Sequence, residues 1–259
     1  MPGFDKEKKQ LVVAMDHARA MGALAGLEDP GAVIDLAIEA GADAIMTSYG
    51  VVKHFRDRLI GRIPTILRID GGPSFYREDW LKNTDWRLLH TMEDAEALGV
   101  DGVCTMVFMG SEVEMDTLEI TAEVARQTMG TSLSLMVEAL PCPSARITDP
   151  NDAKAMADAC RLAFEHGADV LKTYATGSAE SFRQVTNNCP APVLIAGGAK
   201  MNSERDMLQV VRDTLDAGGR GVVFGRNIWQ SAAPEKTIHA LRHLIHGDGS
   251  VDDAAAMLT

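Results

Sequence analysis

The sequence has little of what marks several common classes of protein. Its four cysteines, Cys104, Cys142, Cys160 and Cys189, show no paired metal-binding spacing, so we interpret them as reduced thiols in a reducing compartment. The first ten residues lack the apolar core of a signal peptide, and no apolar run approaches the length of a membrane span. We therefore expect a cytoplasmic protein that does not bind membranes.

Positive charge is also scarce. The chain has 25 Lys and Arg against 37 Asp and Glu, a formal net charge of -12, which argues against binding to nucleic acid. An anionic small molecule is not excluded, because backbone amides and one arginine can bind phosphate whatever the net charge. With 259 residues, 46% of them hydrophobic, the chain has ample material for a core. We predict a single domain over residues 1–259.

Eight short β-rich segments alternate with helix-like segments along the chain, without a linker. The predicted strands are Leu11–Asp16, Ala44–Ser48, Thr65–Ile69, Gly102–Val107, Leu133–Glu138, Asp169–Tyr174, Val193–Ala196 and Gly221–Phe224. The predicted helices between them include Ala32–Ala40, Trp86–Leu98, Glu112–Gln127, Asp152–His166 and Glu204–Ala217. Eight such alternations are typical of an α/β fold of the (β/α)8 TIM barrel type.

Four junctions between helix and strand repeat one pattern. Gly41, Gly99, Gly167 and Gly218 each follow a predicted helix just before the next strand, where glycine can adopt the left-handed conformation that ends a helix. The alternative fold is an open doubly wound sheet, which usually has fewer strands. No Gly-x-Gly-x-x-Gly motif follows the first strand, so the barrel is favoured.

The predicted strand Asp169–Tyr174 carries one lysine, Lys172, in its interior. Side chains alternate along a strand, so Lys172 shares a face with Val170 and Tyr174. Inside a closed barrel, apolar surroundings would favour the neutral amine, which can attack a carbonyl group. The alternatives are an edge strand whose lysine faces water and a lysine buried against a carboxylate.

In a barrel the active site lies at the carboxyl ends of the strands. The polar residues predicted there are Asp16, His17, Tyr49, Arg68, Asp70, Glu138, Lys172 and Tyr174. Asp16 and Glu138 are candidates for proton transfer, while His17, Arg68 and Tyr174 are expected to bind substrate. Asp16 could instead cap a turn beside a surface histidine, and Glu138 could instead pair with Lys172 or Arg68.

Two glycine turns follow the last two strands, the usual location of a phosphate site in barrels. Gly197 and Gly198 follow the seventh strand, and Gly225 and Arg226 follow the eighth. Glycine lets backbone amides approach an oxyanion, a following helix N-terminus adds partial positive charge, and arginine can bind phosphate with two hydrogen bonds. Tight turns without a ligand are the alternative. We predict a phosphorylated substrate.

These residues resemble the DeoC/LacD-type class I aldolases, the family of archaeal-type fructose-bisphosphate aldolases and the autoinducer-2 phosphate thiolase. The similarity covers Ala14-Met15-Asp16-His17, Leu171-Lys172-Thr173-Tyr174, Ile195-Ala196-Gly197-Gly198 and Gly225-Arg226-Asn227-Ile228-Trp229-Gln230. It implies that Lys172 is the Schiff-base lysine, Asp16 the aspartate after the first strand, and Gly197, Gly198, Gly225 and Arg226 the phosphate cradle. It further implies no cofactor, no metal and a homo-oligomer, commonly a decamer.

The fifth strand departs from the family pattern. Aldolases of this family end it in a Tyr-Pro-Arg-Gly type segment whose tyrosine acts as acid and base, whereas here Leu140 precedes Pro141. The thiolase also lacks this tyrosine, and its Val-Tyr-Ile-Gly-Ser-Glu block looks like residues 107–112 here. We hypothesise that Glu138 supplies the lost proton-transfer function.

The predicted function is that of a metal-independent class I aldolase acting on a phosphorylated keto sugar or related ketone. The alternatives are thiolase-type acyl transfer to coenzyme A and a sugar-phosphate sensor without catalytic activity. The segment Gly71–Trp86, with Phe75, Tyr76 and Trp80, is predicted either to shape the pocket or to contact another subunit.

Overall fold

Eight parallel strands close into a barrel whose order around the ring follows the order along the chain. The computed structural model describes residues 5, 7–78, 85–201 and 203–258. The barrel strands are β1 Gln10–Ala14, β2 Ala44–Ser48, β3 Thr65–Arg68, β4 Gly102–Met109, β5 Ser134–Pro141, β6 Val170–Tyr174, β7 Val193–Ala196 and β8 Gly221–Phe224. The predicted (β/α)8 TIM barrel is confirmed.

Helices cover the outside of the barrel. They are α1 Ala18–Met21, α2 Pro30–Glu39, α3 Tyr49–His54, α4 Arg56–Leu59, α5 Met92–Leu98, α6 Glu114–Thr128, α7 Ala153–Glu165, α8 Ala179–Asn188, α9 Glu204–Asp216, α10 Arg226–Trp229, α11 Pro234–His246 and α12 Val251–Ala256. In the part of the chain that the structure describes, no helix has the length and apolar character needed to cross a membrane.

Strand alternation divides the apolar residues into two layers. Side chains such as Val12, Met46 and Val170 form a small cluster inside the barrel. Their neighbours along the strands, such as Leu11 and Leu171, belong to a larger cluster with the helices. Lys172 is two residues beyond Val170 on β6, so it stands in the barrel interior, above an apolar floor.

The four junctions between helix and strand contain a left-handed glycine, and three of them also contain an aspartate that binds the neighbouring strand. Gly41, Gly99, Gly167 and Gly218 have φ values of 83°, 78°, 103° and 92°, as the predicted helix endings require. The aspartates Asp43, Asp101 and Asp169 follow the first three glycines and accept hydrogen bonds from the backbone amides of Leu11, Thr65 and Leu135 at 2.6, 2.9 and 3.0 Å. Each carboxylate thereby ties the start of one strand to the neighbouring strand.

The prediction of a helix over Trp86–Leu98 is wrong in its first half. Arg87–Leu88 form a short strand that pairs antiparallel with Asp70–Gly71, and α5 begins only at Met92. The start is set by a capping box, in which the Thr91 and Asp94 side chains each accept a hydrogen bond from the other residue's backbone amide. This capping stops the helix from extending back towards Trp86.

Gly221 is expected to be essential at the seam between β8 and β1. Its φ is +125°, and a Cβ atom there would lie 2.0 Å from the carbonyl oxygen of Gln10. The change Gly221→Ala should therefore destabilise the fold by more than the roughly 1–3 kcal/mol of backbone strain alone. Gly61→Ala is the matched control, because φ is +78° but the space is open. Equal free energies of unfolding for the two variants, measured by chemical denaturation, would contradict this steric account.

Candidate active site

Neighbouring strands carry the reactive groups to the carboxyl end of the barrel. Glu138 on β5 and Lys172 on β6 are register partners, and Arg68 is the last residue of β3. Lys172 Nζ lies 2.8 Å from Glu138 Oε2, and only 6% of the lysine is exposed. The expectation of apolar surroundings for the amine is therefore wrong: apolar residues lie below it, but a buried carboxylate is its direct partner.

Arg68 links three carboxylates in this region. Its guanidinium lies 3.0 Å from Asp16, 3.4 Å from Asp70 and 2.5 Å from Glu138. Arg68 and Asp70 are 2% and 0% exposed, so these ion pairs are desolvated. Removing one partner would leave the other as a buried charge without compensation. Glu138 thus pairs with both Lys172 and Arg68, and Asp16 does not cap a surface turn.

The charges of the cluster set its protonation. Burial would raise the pKa values of Asp16 and Glu138, but Arg68 and Lys172 outweigh burial and hold both pKa values below the usual range. Burial raises the pKa of Asp70 in spite of Arg68, and it lowers the pKa of His17 in spite of Asp16. At neutral pH, Asp16 and Glu138 are therefore carboxylates and His17 is a neutral imidazole.

We expect Arg68→Gln to destabilise the protein by about 3–5 kcal/mol, since it leaves buried carboxylates without their partner. In the wild type, the lowered pKa values of Asp16 and Glu138 contribute stability that is complete above a pH of about 4 and is lost as the pH falls further. That acid dependence should weaken in the variant. Denaturant unfolding between pH 3 and 7 measures both effects.

Arg62→Gln is the control for this prediction, because Arg62 is half exposed and lies 3.9 Å from Asp35. Exposed pairs contribute about 0–1 kcal/mol. An Arg68→Gln variant no less stable than this control would show that Arg68 does not hold the cluster together.

A cleft of about 50 Å³ opens beside the lysine. It is lined by Ala14, His17, Glu138, Lys172, Tyr174, Ala196, Gly197, Gly198, Val223, Gly225 and Arg226. The structure thus brings together, at one cleft, all the residues predicted at this end of the barrel except Asp16, Tyr49, Arg68 and Asp70. Asp16 and Arg68 are joined to the cleft through His17 and Glu138, and Asp70 is joined to it through Arg68.

Close packing explains the glycines of the cleft. A Cβ atom on Gly225 would lie 2.5 Å from His17 Cε1, and one on Gly197 would lie 2.8 Å from Asn227 Nδ2. Gly198 has a φ of +61°. The Asn227 amide donates to the carbonyl oxygen of Gly197 at 2.9 Å, which joins the two glycine turns. Larger side chains at these positions would fill or distort the cleft.

Arg226 lies at the cleft with an unsatisfied donor. Its Nε is buried and has no hydrogen-bond partner among the described residues. The helix N-terminus expected after a glycine turn is present at one of the two turns: Gly225 is the N-cap of α10, a helix of four residues. After Gly197 and Gly198 the next helix, α9, begins only at Glu204. Arg226 lines the cleft together with both turns and adds a formal positive charge.

His17 lies between Trp229 and Asp16. Its ring packs edge-on against Trp229 at 5.5 Å, and its Nδ1 lies 3.6 Å from Asp16 Oδ1. The indole of Trp229 donates to the carbonyl oxygen of Ala14 at 3.0 Å, which holds the end of β1 in place. His17 is therefore a partly buried residue of the site, not a surface histidine.

Sequence reasoning did not identify Arg19 or the role of Trp86. The Trp86 indole donates to Asp70 at 2.8 Å, and the Arg19 guanidinium lies 5.5 Å from the centre of the Trp86 ring. Arg19 comes three residues after Asp16, and this position just after the first strand was the only signal in the sequence.

Other expectations have mixed outcomes. Tyr49 stacks on His90 at 4.4 Å and does not line the cleft. Phe75 and Tyr76 are 49% and 83% exposed, while Trp80 lies outside the described residues.

Cys104, below the cluster, is fully buried, and burial raises the pKa of its thiol to about 12. Within the described ranges, no group of three or more His, Cys, Asp or Glu side chains is arranged to hold a metal ion.

Comparison with known proteins agrees with this geometry. The model of the DeoC/LacD family aldolases matches residues 10–231. The chain is 34% identical to 2-amino-3,7-dideoxy-D-threo-hept-6-ulosonate synthase of Halobacterium salinarum, over 96% of this chain and 91% of the relative. It is also 34% identical to 3-hydroxy-5-phosphonooxypentane-2,4-dione thiolase of an Enterobacter species, over 96% and 80%.

Among solved structures, the chain is similar to an archaeal fructose-1,6-bisphosphate aldolase whose catalytic lysine is covalently bound to the carbinolamine intermediate. The TM-score is 0.85 at 29% identity, and the match covers 94% of this chain and 96% of the other. The family match and this similarity each cover most of the chain. The protein belongs to the DeoC/LacD family of aldolases.

Proposed function

We propose that Lys172 forms a Schiff base with a phosphorylated keto sugar or related ketone, and that the enzyme cleaves or forms a carbon–carbon bond next to that carbon. The observation that carries this proposal is the Lys172 amine itself. It stands inside the barrel, 2.8 Å from the Glu138 carboxylate, and lines the same cleft as the glycine turns and Arg226. The similar archaeal aldolase, with its lysine-bound intermediate, supports the same chemistry.

The proposed reaction runs through an iminium cation and an enamine. The amine adds to the ketone, and loss of water from the carbinolamine gives an iminium cation. When a carboxylate removes the proton of the β-hydroxyl group, the bond between the α- and β-carbons breaks, an aldehyde leaves and an enamine remains. Protonation of the enamine and hydrolysis then release the second product and the free amine.

Glu138 is our candidate for the proton-transfer group, because it is ionised and in contact with the amine. Arg68 holds Asp16 at 3.0 Å, and the Asp16 carboxylate also interacts electrostatically with Lys172. Asp16 would therefore stabilise the iminium cation, and it is the second candidate for the proton acceptor. Arg226 and the amides of the glycine turns would hold the substrate phosphate away from the reacting carbons, which fixes the orientation of the ketone.

Acyl transfer to a thiol is the second candidate function, favoured by the similarity to the thiolase. Such a reaction would use the same lysine, with a thiol acceptor such as coenzyme A receiving the fragment. Cys104 is not a candidate nucleophile, because it is buried and the raised pKa of its thiol keeps it protonated.

Product analysis with phosphorylated ketoses and phosphorylated diketones, with and without coenzyme A, separates the two reactions. An aldolase releases an aldehyde and a ketone without any thiol. Product formation that requires coenzyme A and yields a thioester would replace the aldolase proposal with acyl transfer. Absence of turnover with every substrate would contradict both and favour the sugar-phosphate sensor.

A further inference from the structure

Arg19 is a cationic residue of the site for which the proposed reaction has no use. It is partly buried, and its Nε is buried without a hydrogen-bond partner among the described residues. The three nearby carboxylates are already bonded to Arg68, and Glu138 also to Lys172. A buried donor without a partner costs about 1–3 kcal/mol. Because Nε itself is closed to solvent, a ligand would bind the two terminal nitrogens of this guanidinium.

The loop after β3 holds Arg19 in place. A Cβ atom on Gly71 would lie 2.1 Å from Arg19 Nη1, and one on Gly72 would lie 2.5 Å from Trp86 Cε3. The two glycines therefore make room for the arginine and for the indole beneath it. Trp86 is fixed in turn by its hydrogen bond to Asp70, and the Phe75 amide donates to the carbonyl oxygen of Ala20 at 2.8 Å.

Arg19 follows β1, but its guanidinium reaches Gly71 after β3, across the ring from the predicted phosphate cradle. The strands follow one another in chain order around the ring, so β3 is opposite β7. Gly71 follows β3, Gly198 follows β7 and Arg226 follows β8. Lys172 is on β6, which lies between β3 and β7 in the order around the ring. A linear substrate with its phosphate at Arg226 and its carbonyl at the lysine would therefore extend towards Arg19.

We propose that Arg19 binds a second anionic group, a phosphate or a carboxylate, at the far end of the substrate. This inference rests on the proposed function for the direction in which the substrate lies. Arg19 would then select substrates that carry an anion at both ends over those with a neutral far end. A guanidinium suits either anion, because it can donate two parallel hydrogen bonds.

Three alkyl phosphates that differ only at the far end test this proposal by titration calorimetry. They are hexyl phosphate, hexane-1,6-diyl bisphosphate and 6-phosphonooxyhexanoate. The wild type should bind at least one of the two probes with an anionic group at both ends roughly tenfold or more tightly than hexyl phosphate, as expected for one charge-assisted contact. Comparison of the phosphate and carboxylate ends identifies the preferred anion.

In Arg19→Gln this preference should disappear while affinity for hexyl phosphate is unchanged, and Arg19→Lys should keep part of it. Arg87→Gln is the control, because Arg87 is an exposed arginine in the segment between β3 and α5. Among the described residues it is paired only with Asp85. The proposal is overturned if the wild type shows no preference or no binding, or if Arg19→Gln keeps the preference. It is also overturned if Arg19→Gln weakens all three probes equally, because that result indicates a structural role.

None of the probes contains a carbonyl group, so these affinities do not depend on imine formation. Reductive trapping of a ketose phosphate on the wild type and on Arg19→Gln reports separately on the lysine chemistry. A trapped imine without any anion preference would refute the role of Arg19 alone. A clear preference without a trapped imine would refute the proposed function alone.

Discussion

Replacing Lys172 by methionine or arginine should abolish turnover and imine formation while leaving the barrel folded. Methionine has no amine, and the guanidinium of arginine does not form a Schiff base with a ketone. Loss of a covalent nucleophile costs on the order of 10⁴-fold or more in kcat. The fold should survive, because Glu138 keeps its 2.5 Å contact with Arg68 in either variant.

Two measurements make this result specific. Thermal stabilisation by a phosphorylated ketose should persist in both variants, since Arg226 and the glycine turns are unchanged. Lys154→Met is the matched control, because Lys154 is an exposed lysine of α7 paired with Asp158. Turnover in Lys172→Met within tenfold of the control would remove Lys172 from the mechanism.

Replacing Glu138 by glutamine should separate imine formation from carbon–carbon cleavage. The amide keeps the size of the side chain but cannot accept a proton, so kcat should fall by about 10²–10⁴-fold. Reductive trapping of a ketose phosphate on Lys172 should still succeed, because the amine remains. Single-turnover measurements of imine formation and of product release show which step has slowed.

The pH profile gives a second test of Glu138. Its pKa is held below the usual range by Lys172 and Arg68, against the effect of burial, so the carboxylate stays ionised at a pH at which a free glutamate is already protonated. The wild-type kcat should therefore fall only at more acid pH, where Glu138 becomes protonated. This acid limb of the pH profile should be absent in Glu138→Gln. Glu165→Gln, an exposed change on α7, should behave as the wild type. Unchanged turnover in Glu138→Gln would refute the proposal that Glu138 replaces the family tyrosine.

The parts of the fold that depend on local pattern could be predicted from the sequence. The eight apolar runs and the glycines at the helix ends fix the strands, and alternation along β6 places Lys172 on the inner face. The positions of Gly198 and Arg226 after the last two strands follow from chain order alone. These features need no knowledge of how strands pair.

Contacts between distant parts of the chain could not be predicted in the same way. The pairing of Glu138 with Lys172 depends on the register of β5 and β6, which no short motif specifies. The position of Arg19 depends on Trp86 and on the turn at Gly71, and the strand Arg87–Leu88 that forms this turn was predicted as helix. For the same reason, the sequence could offer Glu138 only as one alternative for the partner of Lys172.

The central claim, that Lys172 forms an imine with substrate, is tested most directly by borohydride reduction of the wild type with a panel of phosphorylated ketoses and ketones. Intact-protein mass spectrometry detects the adduct, and peptide mapping locates it. We predict a single reduced adduct on Lys172, strongest with the ketone that is the substrate. No adduct with any ligand, or an adduct on another amine such as Lys200, would contradict the account.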